Sequence, residues 1–211
     1  MSLTLDDAQR LQECLAGDGV ALIPTDTVYG LACNPESESA VRRIYELKGR
    51  PAVKPAAVMF FAREPALASL SELGPRTLAA LGTLLPGPVT LLLENSSRRF
   101  PLACDPGGGG GALLGLRVPL LQGPLAALAG VGVPAAQSSA NFSGGADRRD
   151  LRNVPIELRE GVDLVLDGGE LPGVASTVID LSDYERSGRW RVVRVGPLDA
   201  AFIQTALAGS C

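Results

Sequence analysis

Short apolar runs recur along the chain, each closed by a proline, a glycine or a polar loop, and they leave little room for any architecture but a sheet. GVALIP (19–24), AAVMFF (56–61), VTLLLE (89–94), LLGLRV (113–118), VPAAQ (133–137), DLVLD (163–167), STVIDL (176–181) and RWRVVRV (189–195) are too short to be buried helices. Each reads as a strand. Helical spacing fills the intervals. Ala8, Leu11 and Leu15 share one face of a segment that begins near Thr4, with Asp7 three residues on as an approximate capping box and Gly17 or Gly19 as its stop. SAVRRIYELKGR (39–50) turns Val41, Ile44, Tyr45 and Leu47 inward and ends at Gly49 and Pro51, and further helices are expected at 76–85, 122–130 and 199–208. Strands and helices alternate without a fixed period, so residues 1–211 are expected to form a single α/β domain around a mixed sheet.

Composition narrows the function. With 46% hydrophobic and 20% charged residues the chain is globular, and a net charge of −4 opposes general nucleic-acid binding while allowing a locally basic cavity. No run of some 18 apolar residues offers a membrane span, and the N-terminus lacks the basic and apolar regions of a secretory signal. Cys14, Cys33, Cys104 and Cys211 follow no metal or disulfide spacing, so a reducing, cytoplasmic setting is expected. Histidine is absent, which excludes Ser-His-Asp, Cys-His and histidine–metal mechanisms.

Four loops carry more polar groups than a turn requires. PTDTVYGL (24–31) sets Thr25, Asp26 and Thr27 after a buried strand; KGRPAVKP (48–55) holds the chain's only two lysines, Lys48 and Lys54, with Arg50 between them. QSSANFSGG (137–145) offers Ser138, Ser139, Asn141 and Ser143, and GVASTVID (173–180) puts Ser176 and Thr177 at a strand start. Each has a plain structural reading as a satisfied turn, a solvated helix end or an edge cap. Arg117 and Arg194 lie inside apolar strands, where a guanidinium needs a carboxylate or a cavity. Together, cations and hydroxyls without histidine suit a polyanion such as a triphosphate, whose chemistry depends on alignment and charge stabilisation. PGGGGG (106–111) satisfies a relaxed dinucleotide-loop pattern through Gly107, Gly109 and Ala112, but a strand rather than a helix follows it.

The strings PTDTVYGLAC, KGRPxxKP, LPGPVTLLLE, LRVP, SSANFSG and STVIDL stand in the order in which similar strings stand in the YrdC family of threonylcarbamoyl-AMP synthases, over roughly residues 10–197. The length resembles the short, single-domain form. The resemblance implies an open, strongly twisted mixed β-sheet flanked by helices around a large basic cavity. It also implies a nucleotidyltransferase that makes L-threonylcarbamoyl-adenylate and pyrophosphate from L-threonine, bicarbonate or CO2 and ATP, with Mg2+ accompanying ATP and no dedicated protein metal site. A tRNA threonylcarbamoyltransferase complex would consume the adenylate to modify adenosine 37 of tRNA; weak direct tRNA binding stays open. Residue by residue, the resemblance assigns Lys48 and Arg50 to catalysis at the ATP phosphates, and Lys54, Ser139, Asn141 and Arg194 to ATP. Thr27, Arg117 and Ser176 fall at threonine contacts.

Met59 departs from the pattern, since some relatives have a polar side chain there that contacts threonine, and it leaves only an apolar surface to offer. Two other functions compete with the synthase reading. One is an RNA-binding module using the same concave surface without catalysis; few aromatics and an acidic balance oppose it. The other is a carbamoyl-adenylate-forming relative that takes carbamoyl phosphate.

Overall fold

The computed structural model describes residues 2–49, 55–108 and 113–208. Arg50, Lys54 and the end of the PGGGGG segment with Ala112 (109–112), all singled out above, lie outside them. Strands β1 (Val20–Ile23), β2 (Gly30–Cys33), β3 (Ala57–Met59), β4 (Val89–Glu94), β5 (Leu113–Arg117), β6 (Ala135–Ser139), β7 (Leu164–Val165), β8 (Thr177–Asp180) and β9 (Arg191–Arg194) form one sheet, ordered β7-β1-β2-β6-β3-β5-β4-β8-β9. The pairs β1–β7, β3–β5 and β4–β8 are parallel and the other five antiparallel, so the sheet is mixed as expected.

The larger helices are α1 (Leu5–Ala16), α2 (Glu38–Leu47), α3 (Arg63–Ser69), α4 (Pro75–Leu84) and α8 (Ala200–Ala208); three single-turn helices, α5 (Pro101–Cys104), α6 (Ile156–Glu160) and α7 (Tyr184–Ser187), lie in connections. Helix α1 starts at the capping box foreseen: the Thr4 hydroxyl accepts from Asp7 N, and Asp7 Oδ2 accepts from Thr4 N at 3.0 Å. Ser37 caps α2 in the same way through Ala40 N.

Alternation along the strands sorts side chains onto two faces. One face carries Val20, Leu22, Leu31, Val58, Leu91, Leu116 and Ile179 into a core completed by Ile44 of α2, Leu81 of α4 and Ile203 of α8. The other face begins at Ala21, Ile23, Ala32, Met59 and Ala135, packed against Leu11 and Leu15 of α1 and Leu128 of a 3₁₀ helix, Gly123–Gly130. Leu3 N donates to Pro124 O at 2.8 Å, tying this cover together. Further along the sheet the same face lies open.

Several expectations need adjusting. The segment 122–130 is helical but 3₁₀ rather than α, with Gly123 at φ 54° and only two buried side chains, Leu125 and Leu128, to hold it. Strand β2 was not foreseen; GLAC is strand because β1 and β6 pair with it on both sides. The run at 133–137 is displaced to Ala135–Ser139, so Ser138 and Ser139 lie in a strand rather than in the loop after it. Cys14, Cys33 and Cys104 are unpaired thiols, and burial pushes Cys33 up to about 12 and Cys104 to about 11. Among the described residues, no helix is long and apolar enough to cross a membrane.

Candidate active site

The open part of the sheet is floored by small residues. Ala57 of β3 and Gly115 of β5 lie between Gln137 of β6 and Thr90 of β4, and the space above them is a cavity of about 450 Å³. Gly30 opposite Ser139 is needed for this floor: a Cβ there would lie 2.3 Å from Gln137 Nε2, so any other residue would displace the glutamine that lines the cavity. Gly196, in the VGP turn after β9, is similarly confined, since a Cβ would meet Thr177 N at 2.4 Å.

Arg117, Ser139, Ser176 and Arg194 all line this cavity, though they come from four strands or strand ends. Arg117, the last residue of β5, is 4% exposed. Its Nη2 donates to Thr25 Oγ1 at 3.1 Å, to Asp26 Oδ1 at 2.7 Å and to Thr27 Oγ1, so the whole TDT triplet gathers round one nitrogen. Asp26 is itself fixed, because its other oxygen accepts from Leu120 N at 2.9 Å. The Arg117 Nε is buried without a partner among the described residues. Such a pair loses several kcal/mol of hydration per ion and holds only because both charges are hydrogen-bonded. The TDT turn is therefore the support of Arg117, and Thr27 stands behind the guanidinium rather than on the cavity wall.

Arg194 closes the far side. Its Nε and Nη2 donate to Ser176 O at 3.0 and 2.9 Å, and Nη2 also reaches Ser176 Oγ at 3.1 Å. The Ser176 hydroxyl, buried, shares a 2.8 Å hydrogen bond with Thr90 Oγ1. Partial desolvation lowers the Arg194 pKa from its ordinary value, with the Arg117 charge acting in the same direction and Asp147 against it. An arginine stays protonated regardless, and among the described lining residues two guanidinium groups face one carboxylate, a balance that suits an incoming anion.

Lys48 is buried at the C-terminal cap of α2, behind the cavity wall. Its Nζ donates to Asn141 O at 2.8 Å, to Asn141 Oδ1 at 3.1 Å and to Ser139 O. Ser139 Oγ donates to Asn141 Oδ1 at 2.7 Å, Asn141 Nδ2 to Gly145 O, and Ser143 N to Lys48 O at 3.0 Å. This lysine pins the SAN turn to the end of α2. Of the nine residues proposed from sequence, four line one cavity, Thr27, Lys48 and Asn141 stand immediately behind its wall, and Arg50 and Lys54 lie outside the described residues. Met59 does not border the cavity: it is fully buried under α1, two residues along β3 from Ala57. Sequence reasoning missed Gln137 and Asp147 as lining residues and Asp26 as the partner of Arg117. The buried guanidinium in LLGLRV was a signal that such a carboxylate had to exist.

Comparison with known proteins follows the same lines. Threonylcarbamoyl-AMP synthase of Pyrococcus abyssi is 34% identical over 162 residues, covering 76% of this chain and 46% of that protein; the mouse protein of the same name is 34% identical over 189 residues, covering 86% and 64%. The chain thus spans about half to two thirds of the length of these relatives. A crystal structure of Pyrococcus abyssi Sua5 complexed with L-threonine superposes with a TM-score of 0.82 at 29% identity, over 98% of this chain and 58% of that one. The family model for Sua5, YciO and YrdC proteins, described as telomere recombination, matches residues 13–196. The chain belongs to the Sua5/YciO/YrdC family.

Proposed function

We propose that this domain condenses L-threonine, CO2 or bicarbonate and ATP into L-threonylcarbamoyl-adenylate and pyrophosphate, in support of tRNA modification. The observation that carries the reading is the gathering of Arg117, Ser139, Ser176 and Arg194 round one cavity on the uncovered part of the sheet, in a chain whose relatives bear that activity as their name.

The chemistry divides into two steps. The threonine amine, as the free base, attacks CO2 and loses a proton, giving a carbamate. A carbamate oxygen then attacks the α-phosphorus of ATP, the bond to the β-phosphate oxygen breaks, and pyrophosphate leaves. Neither step demands a histidine. Arg117 presents a pre-oriented cation to the threonine carboxylate, since Asp26 and the two threonine hydroxyls fix its rotamer in advance, and Ser176 offers a hydroxyl beside it. Arg194 faces the nucleotide, and Ser139 and Asn141 form the turn on which it rests. Lys48 acts here by holding that turn, through the three acceptors that occupy its ammonium. Arg50 and Lys54 are assigned to the phosphates on the family resemblance alone. Magnesium would arrive with ATP, ligated by phosphate oxygens and water, and would offset charge on the triphosphate. Holding the reactants together supplies the largest effect, because effective molarities of roughly 10⁵–10⁸ M are attainable for aligned groups. The adenylate would pass to a tRNA threonylcarbamoyltransferase.

The test is pyrophosphate release from ATP with substrates omitted one at a time. Release is expected to need both threonine and bicarbonate. Release that continues without threonine, or that needs carbamoyl phosphate instead, overturns the assignment. Among the described residues, no feature of the cavity favours an RNA-binding role.

A further inference from the structure

Both guanidinia of the cavity suit anionic groups, but a zwitterionic amino acid also brings an ammonium. Among the described lining residues there is one carboxylate, Asp147. It differs from the chain's other acidic neighbours of arginine. Asp26, Asp150, Asp163, Asp180 and Asp183 each hold an ion pair. Asp147 forms no ion pair or side-chain hydrogen bond among the described residues, although it lies close enough to Arg194 to oppose the lowering of that residue's pKa.

Its place is set by the backbone on both sides. Gly145 N donates to Phe142 O at 2.9 Å, and Gly145 O accepts from Asn141 Nδ2, which fixes the turn before it. On the other side Tyr29 N donates to Arg148 O at 2.8 Å, which joins the next residue to the entry of β2. Asp147 is exposed, and a hydrated carboxylate held between two anchors, on the cavity wall and next to a guanidinium that has bonded elsewhere, is an acceptor that a ligand can reach.

We propose that Asp147 receives the α-ammonium of the amino-acid substrate and so selects amino acids over deaminated acids of the same shape. The inference rests on the threonine-binding reading above. It places the substrate's negative end on Arg117 and its positive end beside Asp147, an arrangement that orients the nitrogen before it gives up a proton and attacks CO2.

Calorimetric titration of Asp147→Asn and of the unaltered protein with L-threonine, with 3-hydroxybutyrate (threonine without its amine) and with ATP tests this. Asparagine keeps the shape and removes the charge. Threonine affinity is expected to fall about 10- to 100-fold in the variant, the range for a hydrogen bond to a charged group. ATP and 3-hydroxybutyrate should bind as before, and Asp147→Glu should recover part of the loss. Undiminished threonine binding by Asp147→Asn overturns the proposal while leaving the functional reading intact. Equal weakening of all three ligands also overturns it, because the residue then serves only to hold its loop. An unaltered protein that binds ATP but not threonine removes the functional reading itself.

Discussion

One face of the sheet is built in two halves that differ in almost everything except their strands. Under α1 and the 3₁₀ helix, Ile23, Ala32, Met59 and Ala135 are shut off from water by Leu11, Leu15 and Leu128. One step along the same strands, Ala57, Gln137, Ser139 and Arg117 face the cavity. The covered half contributes stability by apolar burial, roughly 1.5–3 kcal/mol for each large side chain. The open half leaves sheet surface uncovered and buries a charged pair at its edge, neither of which a fold needs for its own sake. Binding capacity has been placed where packing was withheld.

The largest expected effect comes from removing the cation of the charged pair that the open half buries. Arg117→Met takes the only ion-pair partner from the largely buried Asp26 carboxylate, which keeps a hydrogen bond from Leu120 N alone, and should lower stability by about 3–5 kcal/mol as well as abolish threonine-dependent pyrophosphate release. Urea denaturation and the release assay check the two parts; a variant that is stable and active would mean the halves are not functionally distinct. Leu11→Ala, in the covered half, should cost about 2–5 kcal/mol in the same denaturation experiment while threonine affinity stays unchanged. Gly115→Leu should do the opposite. A Cβ at this position makes only ordinary contacts, the nearest at 3.5 Å to Ala57 Cα, so stability should move little, whereas the longer side chain fills the cavity floor and weakens ligand binding at least about tenfold, about 1.4 kcal/mol.

The smallest effect is that of Thr4→Ala at the start of α1, about 1 kcal/mol with no change in binding. It carries a pH signature. The backbone N–H of Thr4, and then its hydroxyl, hold the Asp7 carboxyl below its usual value. The capping box thus contributes fully above about pH 3.9, the unfolded value, and its contribution is lost as pH falls through the depressed one. Thr4→Ala removes only the hydroxyl's share of that effect, so the gap between the two denaturation midpoints should narrow in acid without closing, because the bond from Asp7 N to the Thr4 hydroxyl does not depend on the carboxylate's charge. A gap of constant size across this range would mean that the hydroxyl does nothing for the Asp7 carboxylate.

Elements with a local cause were legible in the sequence. The Thr4–Asp7 box and the Leu11–Leu15 face define α1 without help from the rest of the chain. Strand β2 was not legible, because Gly30 and Cys33 carry no strand preference and only pairing to β1 and β6 makes them one. In the site, the buried arginines announced themselves, since a guanidinium inside an apolar strand has few options. The direction of Lys48 did not, because a lysine at a helix end can as readily reach solvent as a neighbouring turn. Asp147 gave no signal; its position depends on anchors that are 118 and 6 residues away in sequence, at Tyr29 and Asn141, and only the fold brings them together. Met59 was misplaced for a simple reason: β3 points Ala57 and Met59 the same way, but α1 covers only one of them.

Strand β6 sends Ala135, Gln137 and Ser139 in one direction, the first into packed interior and the last two toward the proposed ligands. A single residue inserted or deleted between Ala135 and Ser139 would turn the side chains on one side of the change to the opposite face. Gaining or losing a residue there would either turn Ala135 out of the packed interior or turn Gln137 and Ser139 away from the cavity. Change in what this domain accepts must therefore come by exchanging side chains in place, or from loops such as the one carrying Asp147.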